Sequence, residues 1–193
     1  MPVILSNSLN IGIASIFFVS VAGLMAVIYA LFLNRKINKQ QVEDKRMLEI
    51  QSYIKKGAMA FLKREYKTLA IFTSILFVVL GVGISLSSKD WAKGWLTALC
   101  FLFGAVLSGL AGFLGMKAAT NSNAKTAYAA KTGGMGKALQ ISFSGGAIMG
   151  LCVVGLGLGG LSLAFMLNVG VVGSDVAEYV KITDIVTGFG LGA

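Results

Sequence analysis

Histidine is absent from this 193-residue chain, proline occurs once and cysteine twice. Without histidine there is no Ser-His-Asp triad, no histidine metal site and no histidine pH switch. One proline, Pro2, beside 25 glycines excludes proline-rich and collagen-like chains. Cys100 and Cys152 sit in apolar runs with no Cys or His at metal-ligand spacing, so they read as small buried hydrophobes rather than ligands. Charge is scarce as well: 17 basic and 8 acidic residues make up 13% of the chain, about half the share of an ordinary soluble domain. With 56% hydrophobic residues and a mean hydropathy of +0.80, the chain has too few polar side chains to cover a water-soluble globule. No charged side chain precedes Arg35. The composition is that of an integral membrane protein.

A bilayer core of about 30 Å needs roughly 20 apolar residues as helix. Apolar runs at 9–33, 68–86, 94–116 and 138–167 each supply a span, and a fifth opens near Ile182 and reaches Ala193. That last run is too short to cross a bilayer, so the chain reads as cut inside a helix. The expected fold is all-α: a polytopic transmembrane helix bundle, one membrane domain over 1–193, with four full spans and the start of a fifth at 182–193. The first run has no basic leader and an apolar core longer than that of a signal peptide, which makes it a retained span.

Orientation follows from lysine and arginine counted loop by loop. Residues 34–67 hold Arg35, Lys36, Lys39, Lys45, Arg46, Lys55, Lys56, Lys63, Arg64 and Lys67, and residues 117–137 hold Lys117, Lys125, Lys131 and Lys137. The opposite side has Lys89, Lys93 and Lys181. This imbalance puts both long loops in the cytoplasm and the N-terminus outside. It also accounts for the net charge of +9 and pI of about 9.7 without a nucleic-acid partner.

Within the first loop, Met47, Ile50, Ile54, Ala58 and Phe61 recur at three- and four-residue spacing. They predict a cytoplasmic amphipathic helix over about 42–66 that runs into the second span. Tyr53 and Tyr66 mark packing or interface positions on it. A helix lying against its own bundle is the plainer reading, a membrane-surface sensor the alternative.

Candidate chemistry is thin. Gly155-Leu-Gly-Leu-Gly-Gly160 matches G-x-G-x-x-G, but it lies in a membrane-length run rather than between a strand and a helix. Asp175 and Glu178, near the distance of a ribose-binding acid, fall across the far-side loop. Close helix approach through small residues explains the glycines, as it does Gly104, Ser108 and Gly112 in the third run and Gly146 and Gly150 in the fourth. Lys131-Thr-Gly-Gly-Met-Gly-Lys137 looks like a phosphate loop yet ends in Ala138 where the motif needs Ser or Thr. A turn entering the fourth span needs no ligand. Among the acids, Glu43, Asp44, Glu49 and Glu65 belong to the charged segment, with Glu49–Lys45 an expected i,i+4 pair. Asp90, Asp175 and Glu178 belong to outer loops. Asp184 reads as an interfacial acid at the start of the fifth helix, with an ion-path role as the alternative. These acids form no Mg²⁺-holding cluster.

Four segments in order nevertheless resemble the membrane-integral, vacuolar-type ion-translocating pyrophosphatases. Residues 49–67, EIQSYIKKGAMAFLKREYK, are similar to the helix leading into that family's second span. Residues 115–132, GMKAATNSNAKTAYAAKT, resemble its second cytoplasmic loop, and residues 146–161, GAIMGLCVVGLGLGGL, its glycine-rich fourth helix. GFGLGA at 188–193 resembles the start of the fifth helix. The resemblance covers the chain from about residue 10 and implies the N-terminal, outer-ring portion of a pump that couples pyrophosphate hydrolysis to H⁺ or Na⁺ translocation. It implies Mg²⁺ as cofactor and raises K⁺ as a second, neither of them held by this segment. As partners it implies the lipid bilayer, the remaining helices of the pump, a homodimer at full length and pyrophosphate only at full length. A bacterial or archaeal cell membrane is the expected location. The family's acidic Mg²⁺-pyrophosphate motif and its ion gate would follow Ala193. No catalytic, cofactor-binding or metal residue of the family therefore maps onto this sequence, and the 193-residue chain alone is expected to be inactive. The rival reading is a small non-catalytic membrane scaffold or assembly protein; a small channel finds no paired intramembrane charges in its favour.

Overall fold

A computed structural model describes the backbone of residues 2–172 and 176–193 and the side chains of residues 14–169 and 180–193. All regular structure among these residues is α-helical: α1 (Pro2–Asn38), α2 (Lys45–Ser88), α3 (Trp91–Val172) and α4 (Val176–Gly192). Asp175 and the side chain of Glu178, weighed above as ribose ligands, lie outside the described residues.

The helix ends follow local chemistry. Pro2 opens α1, where a missing N–H costs nothing, and Arg35 and Lys36 in its last turn offset the negative end of the helix dipole. Asp44 caps α2, its Oδ1 accepting from the N–H groups of Arg46 and Met47 at 3.0 and 3.3 Å. The capping fixes the helix start at Lys45, so Glu43 stays in the connecting loop. From there α2 carries the charged segment and the second apolar run in one uninterrupted helix. At its other end Lys89 adopts a left-handed φ of 55° that turns the chain sharply. Asp90 then caps α3 through the N–H groups of Ala92 and Lys93.

Inside α3 one residue breaks the helix: Gly134, with φ 77° and ψ 177°. Only glycine adopts that conformation readily. The GGMGK stretch is therefore a glycine-made break between two arms of α3. By length and composition, residues 14–38 of α1, all of α2 and residues 91–169 of α3 are apolar enough to cross a membrane. Their outward side chains agree with that, since Phe17, Phe18, Phe72 and Ile75 are all more than half exposed.

The chain divides into two compact units. One, the glycine-packed unit, comprises Met1–Met25, Ile75–Ser108 and Gly155–Ala193. Its core holds Cys100, Ala164, Ile185 and Phe189, against which Leu96, Phe103 and Leu107 pack. The other, the basic unit, comprises Ala26–Ser74 and Gly109–Val154. It has two small cores, one around Leu33, Ile37, Ile148 and Cys152, the other of Ala129, Ala138 and Ile141.

Candidate functional site

In the glycine-packed unit, helices touch backbone to backbone. A Cβ placed on Gly23 would lie 2.8 Å from the Gly159 nitrogen and 3.0 Å from the Gly155 oxygen. The G-x-G-x-x-G stretch is thus a seat for α1, with no room for a dinucleotide's pyrophosphate at that face. α4 meets α3 in the same way: a Cβ on Gly188 would sit 2.3 Å from the Thr97 oxygen, and one on Gly192 2.0 Å from the Phe101 oxygen. A Cβ on Gly104 would likewise fall 2.3 Å from the Phe189 oxygen. By contrast, Gly146 and Gly150 face open space within the described residues. Their small-xxx-small spacing makes no contact there.

Asp184 lies two turns inside α4, not in its first turn, and its carboxylate pairs with Lys93 at 2.8 Å. The interfacial N-terminal role is thereby replaced by a helix-to-helix ion pair. Both cysteines are buried, as their apolar surroundings predict. Cys100 Sγ accepts a hydrogen bond from the Asn168 amide at 3.3 Å, while Asn168 Oδ1 is buried without a donor.

The basic unit is held differently. Gln51 donates to the carbonyls of Thr120 and Asn121 at 3.2 and 2.9 Å, and the Tyr66 hydroxyl donates to the Gly109 oxygen. The Asn121 amide donates to Asn38 Oδ1. Lys125, almost fully buried, donates to the Ile37 oxygen at 2.8 Å, and burial holds its ammonium pKa below the ordinary lysine value. The loop before α2 is tied down by Lys131–Asp44 at 2.9 Å and by the Tyr128 hydroxyl on Glu43 at 3.3 Å. The ion-paired hydrogen bond lowers the Asp44 pKa and raises that of Lys131.

Two expectations change here. Glu49 pairs with Arg46 at 3.1 Å rather than with Lys45, and also accepts from the Tyr53 hydroxyl. The apolar stripe of the amphipathic segment is only partly packed: Ile50, Ile54 and Phe61 are exposed, while Met47 and Ala58 are half-buried. The packed face instead runs through Gln51, Ala58, Leu62 and Tyr66.

Beside these contacts lies a groove of about 350 Å³, whose polar lining is Asn34, Asn38, Lys55, Lys117 and Asn121. Sequence reasoning missed it. The signal available was the i,i+4 pair of asparagines at the end of an apolar run. At the GGMGK turn the Lys137 stem lies against Gly133, and Met135 is exposed. Among the described residues no three acids or cysteines gather where a metal ion could be held.

Long apolar helices seated on glycines, with lysines gathered in one unit, define a polytopic α-helical membrane protein. The family model for inorganic H⁺ pyrophosphatase matches residues 24–193. A putative K⁺-stimulated pyrophosphate-energized sodium pump of Clostridium tetani is 43% identical over 172 residues, covering 89% of this chain and 22% of that protein. A K⁺-insensitive pyrophosphate-energized proton pump of Methanosarcina mazei is 39% identical over 178 residues, covering 92% and 24%. A proton pump of the same description from Pyrobaculum aerophilum is 42% identical over 138 residues, covering 72% and 19%. This chain belongs to the inorganic H⁺ pyrophosphatase family, and it spans less than a quarter of the length of these relatives.

Proposed function

We propose that the protein couples hydrolysis of inorganic pyrophosphate to transport of H⁺ or Na⁺, and that these 193 residues form its N-terminal, supporting outer helices rather than its catalytic centre. The observation that carries this reading is the family match across residues 24–193, joined to relatives named as pyrophosphate-energized pumps. Relatives with either ion match at similar identity, so the ion is left as H⁺ or Na⁺.

The chemistry of this chain's own side chains supports the division of labour. Holding Mg²⁺-pyrophosphate takes several convergent carboxylates, and attack by water takes a base. Here Asp44, Glu49 and Asp184 each face a cation, and Asp90 caps a helix. Such scattered acids do not fit a Mg²⁺ site, so Mg²⁺, with K⁺ where it is required, belongs in this proposal to other parts of the pump. The glycine seats give the supporting helices a tight packing suited to a membrane interior. The lysine distribution supports four spans and the start of a fifth, with an external N-terminus and cytoplasmic loops at 34–67 and 117–137. A homodimer of the full-length pump in a bacterial or archaeal membrane completes the reading.

The deciding experiment compares pyrophosphate hydrolysis by the 193-residue chain and by the product of the complete reading frame, both with Mg²⁺ and both cleared of soluble pyrophosphatase. Turnover by the longer protein alone is the expected result. Turnover by the 193-residue chain would put a catalytic site within it, and silence of both would favour a scaffold. Labelling of single cysteines at the exposed Ser52 and at Ser174 checks the orientation: an impermeant reagent outside intact cells should reach position 174 and spare position 52.

A further inference from the structure

The groove in the basic unit changes character along its helices. On α1 its lining runs from Val27 and Leu31 to Asn34 and Asn38, and on the first arm of α3 from Leu114 to Lys117 and Asn121. The polar ends coincide, because Asn121 donates to Asn38. At 1.5 Å per residue, Val27 to Asn38 covers roughly 16 Å, the depth of a headgroup and the first part of an acyl chain. Lys55 and Lys117 stand at the polar end, and among the described residues neither meets a carboxylate. Lys125, Lys131 and Arg46, by comparison, all have partners.

We propose that this groove binds one anionic phospholipid, its phosphate between Lys55 and Lys117 and its upper acyl chain along Val27, Leu31 and Leu114. The charge fits: two unpaired ammonium groups and three side-chain amides offer donors to a phosphate, and no acid lines the groove. The level fits as well, since Arg35 and Lys36 close the apolar part of α1 beside Asn34, where an apolar helix meets headgroups. A soluble phosphate would leave the apolar half of the groove unfilled. A neighbouring helix would have to bring its own carboxylates to the same two lysines.

The test uses the product of the complete reading frame, stripped of lipid in a neutral detergent. Native mass spectrometry then follows retention of phosphatidylglycerol, phosphatidylcholine or added inorganic phosphate. Phosphatidylglycerol should be retained in preference to phosphatidylcholine. Lys55→Gln and Lys117→Gln should each weaken retention about fivefold, the effect of one basic side chain near an anionic headgroup. Lys63→Gln removes the same charge from the same helix away from the groove and should leave retention unchanged. Leu31→Trp fills the apolar half without touching charge and should also lower it. The proposal is overturned if the two lipids bind equally, if inorganic phosphate competes the lipid away, or if Lys63→Gln acts like Lys55→Gln. Failure of any lipid to bind, as when another helix occupies the groove, overturns it too.

Discussion

The two units of this chain solve the same packing problem with opposite means. In the glycine-packed unit, Gly23, Gly104, Gly188 and Gly192 bring backbone onto backbone, and Lys93–Asp184 is its one ion pair among the described residues. In the basic unit, contacts are made by side chains that reach: Gln51, Tyr66, Lys125 and Lys131 each hold a group more than 40 residues away. The difference reflects solvent. Between apolar helices in lipid, burial of apolar surface gives no net drive, so close contact through small residues must supply the attraction. Near the charged helix ends water is available, and long polar side chains can exchange it for partners.

The sharpest way to break this comparison is to add side chains to the glycine seats. Gly188→Leu and Gly23→Leu should each cost about 3 kcal/mol or more, because the obstructing atoms are backbone and cannot step aside. Gly150→Ala, facing open space, should be neutral or stabilise by up to about 1 kcal/mol through helix propensity. Thermal unfolding of the three variants in detergent checks the ranking, and equal tolerance would remove the backbone-contact argument.

A smaller effect is expected at Lys125. Lys125→Met removes the charge-assisted bond to the Ile37 carbonyl but also relieves the burial of an ammonium, leaving a net loss of about 1–2 kcal/mol. Tyr66→Phe, which deletes a bond to a carbonyl already within a helix, should cost about 0.5–1 kcal/mol. Double-mutant cycles pairing Lys125→Met with Gly188→Leu, one change in each unit, should be additive.

These two kinds of contact were not equally legible in the sequence. Apolar runs, a turn within GGMGK and the packing role of Gly155 and Gly159 follow from spacing alone; that the turn falls at Gly134 does not. Gly146 and Gly150 show the limit, since a small-xxx-small pattern says that a helix could approach without saying that one does. The stripe Ile50, Ile54 and Phe61 misleads for a physical reason. Periodicity picks out an apolar face without saying what covers it, and here the hydrogen bonds of Gln51 and Tyr66 mark the packed face instead. The groove was hidden because Asn34, Lys55 and Lys117 come from three helices and meet only in the fold.

The smallest effect concerns the exposed Lys131–Asp44 tie. A depressed Asp44 pKa means that its contribution is present above the ordinary aspartate pKa near 4 and fades as pH falls through the lower folded value. A raised Lys131 pKa gives a contribution present below the ordinary lysine value, about 10.4, and lost as pH rises through the higher folded value. Wild type and Lys131→Met should therefore differ in melting temperature most between those limits and converge beyond both. The difference should shrink in high salt.

The central claim, that these helices belong to a pump in which hydrolysis drives an ion across the membrane, is tested most directly by ion uptake. The product of the complete reading frame, placed in sealed inverted vesicles with Mg²⁺, should take up H⁺ or radioactive Na⁺ when pyrophosphate is added. Gly188→Leu should reduce uptake in step with the loss of folded protein. Pyrophosphate hydrolysis at full rate in tight vesicles, with neither ion accumulating, would contradict the account.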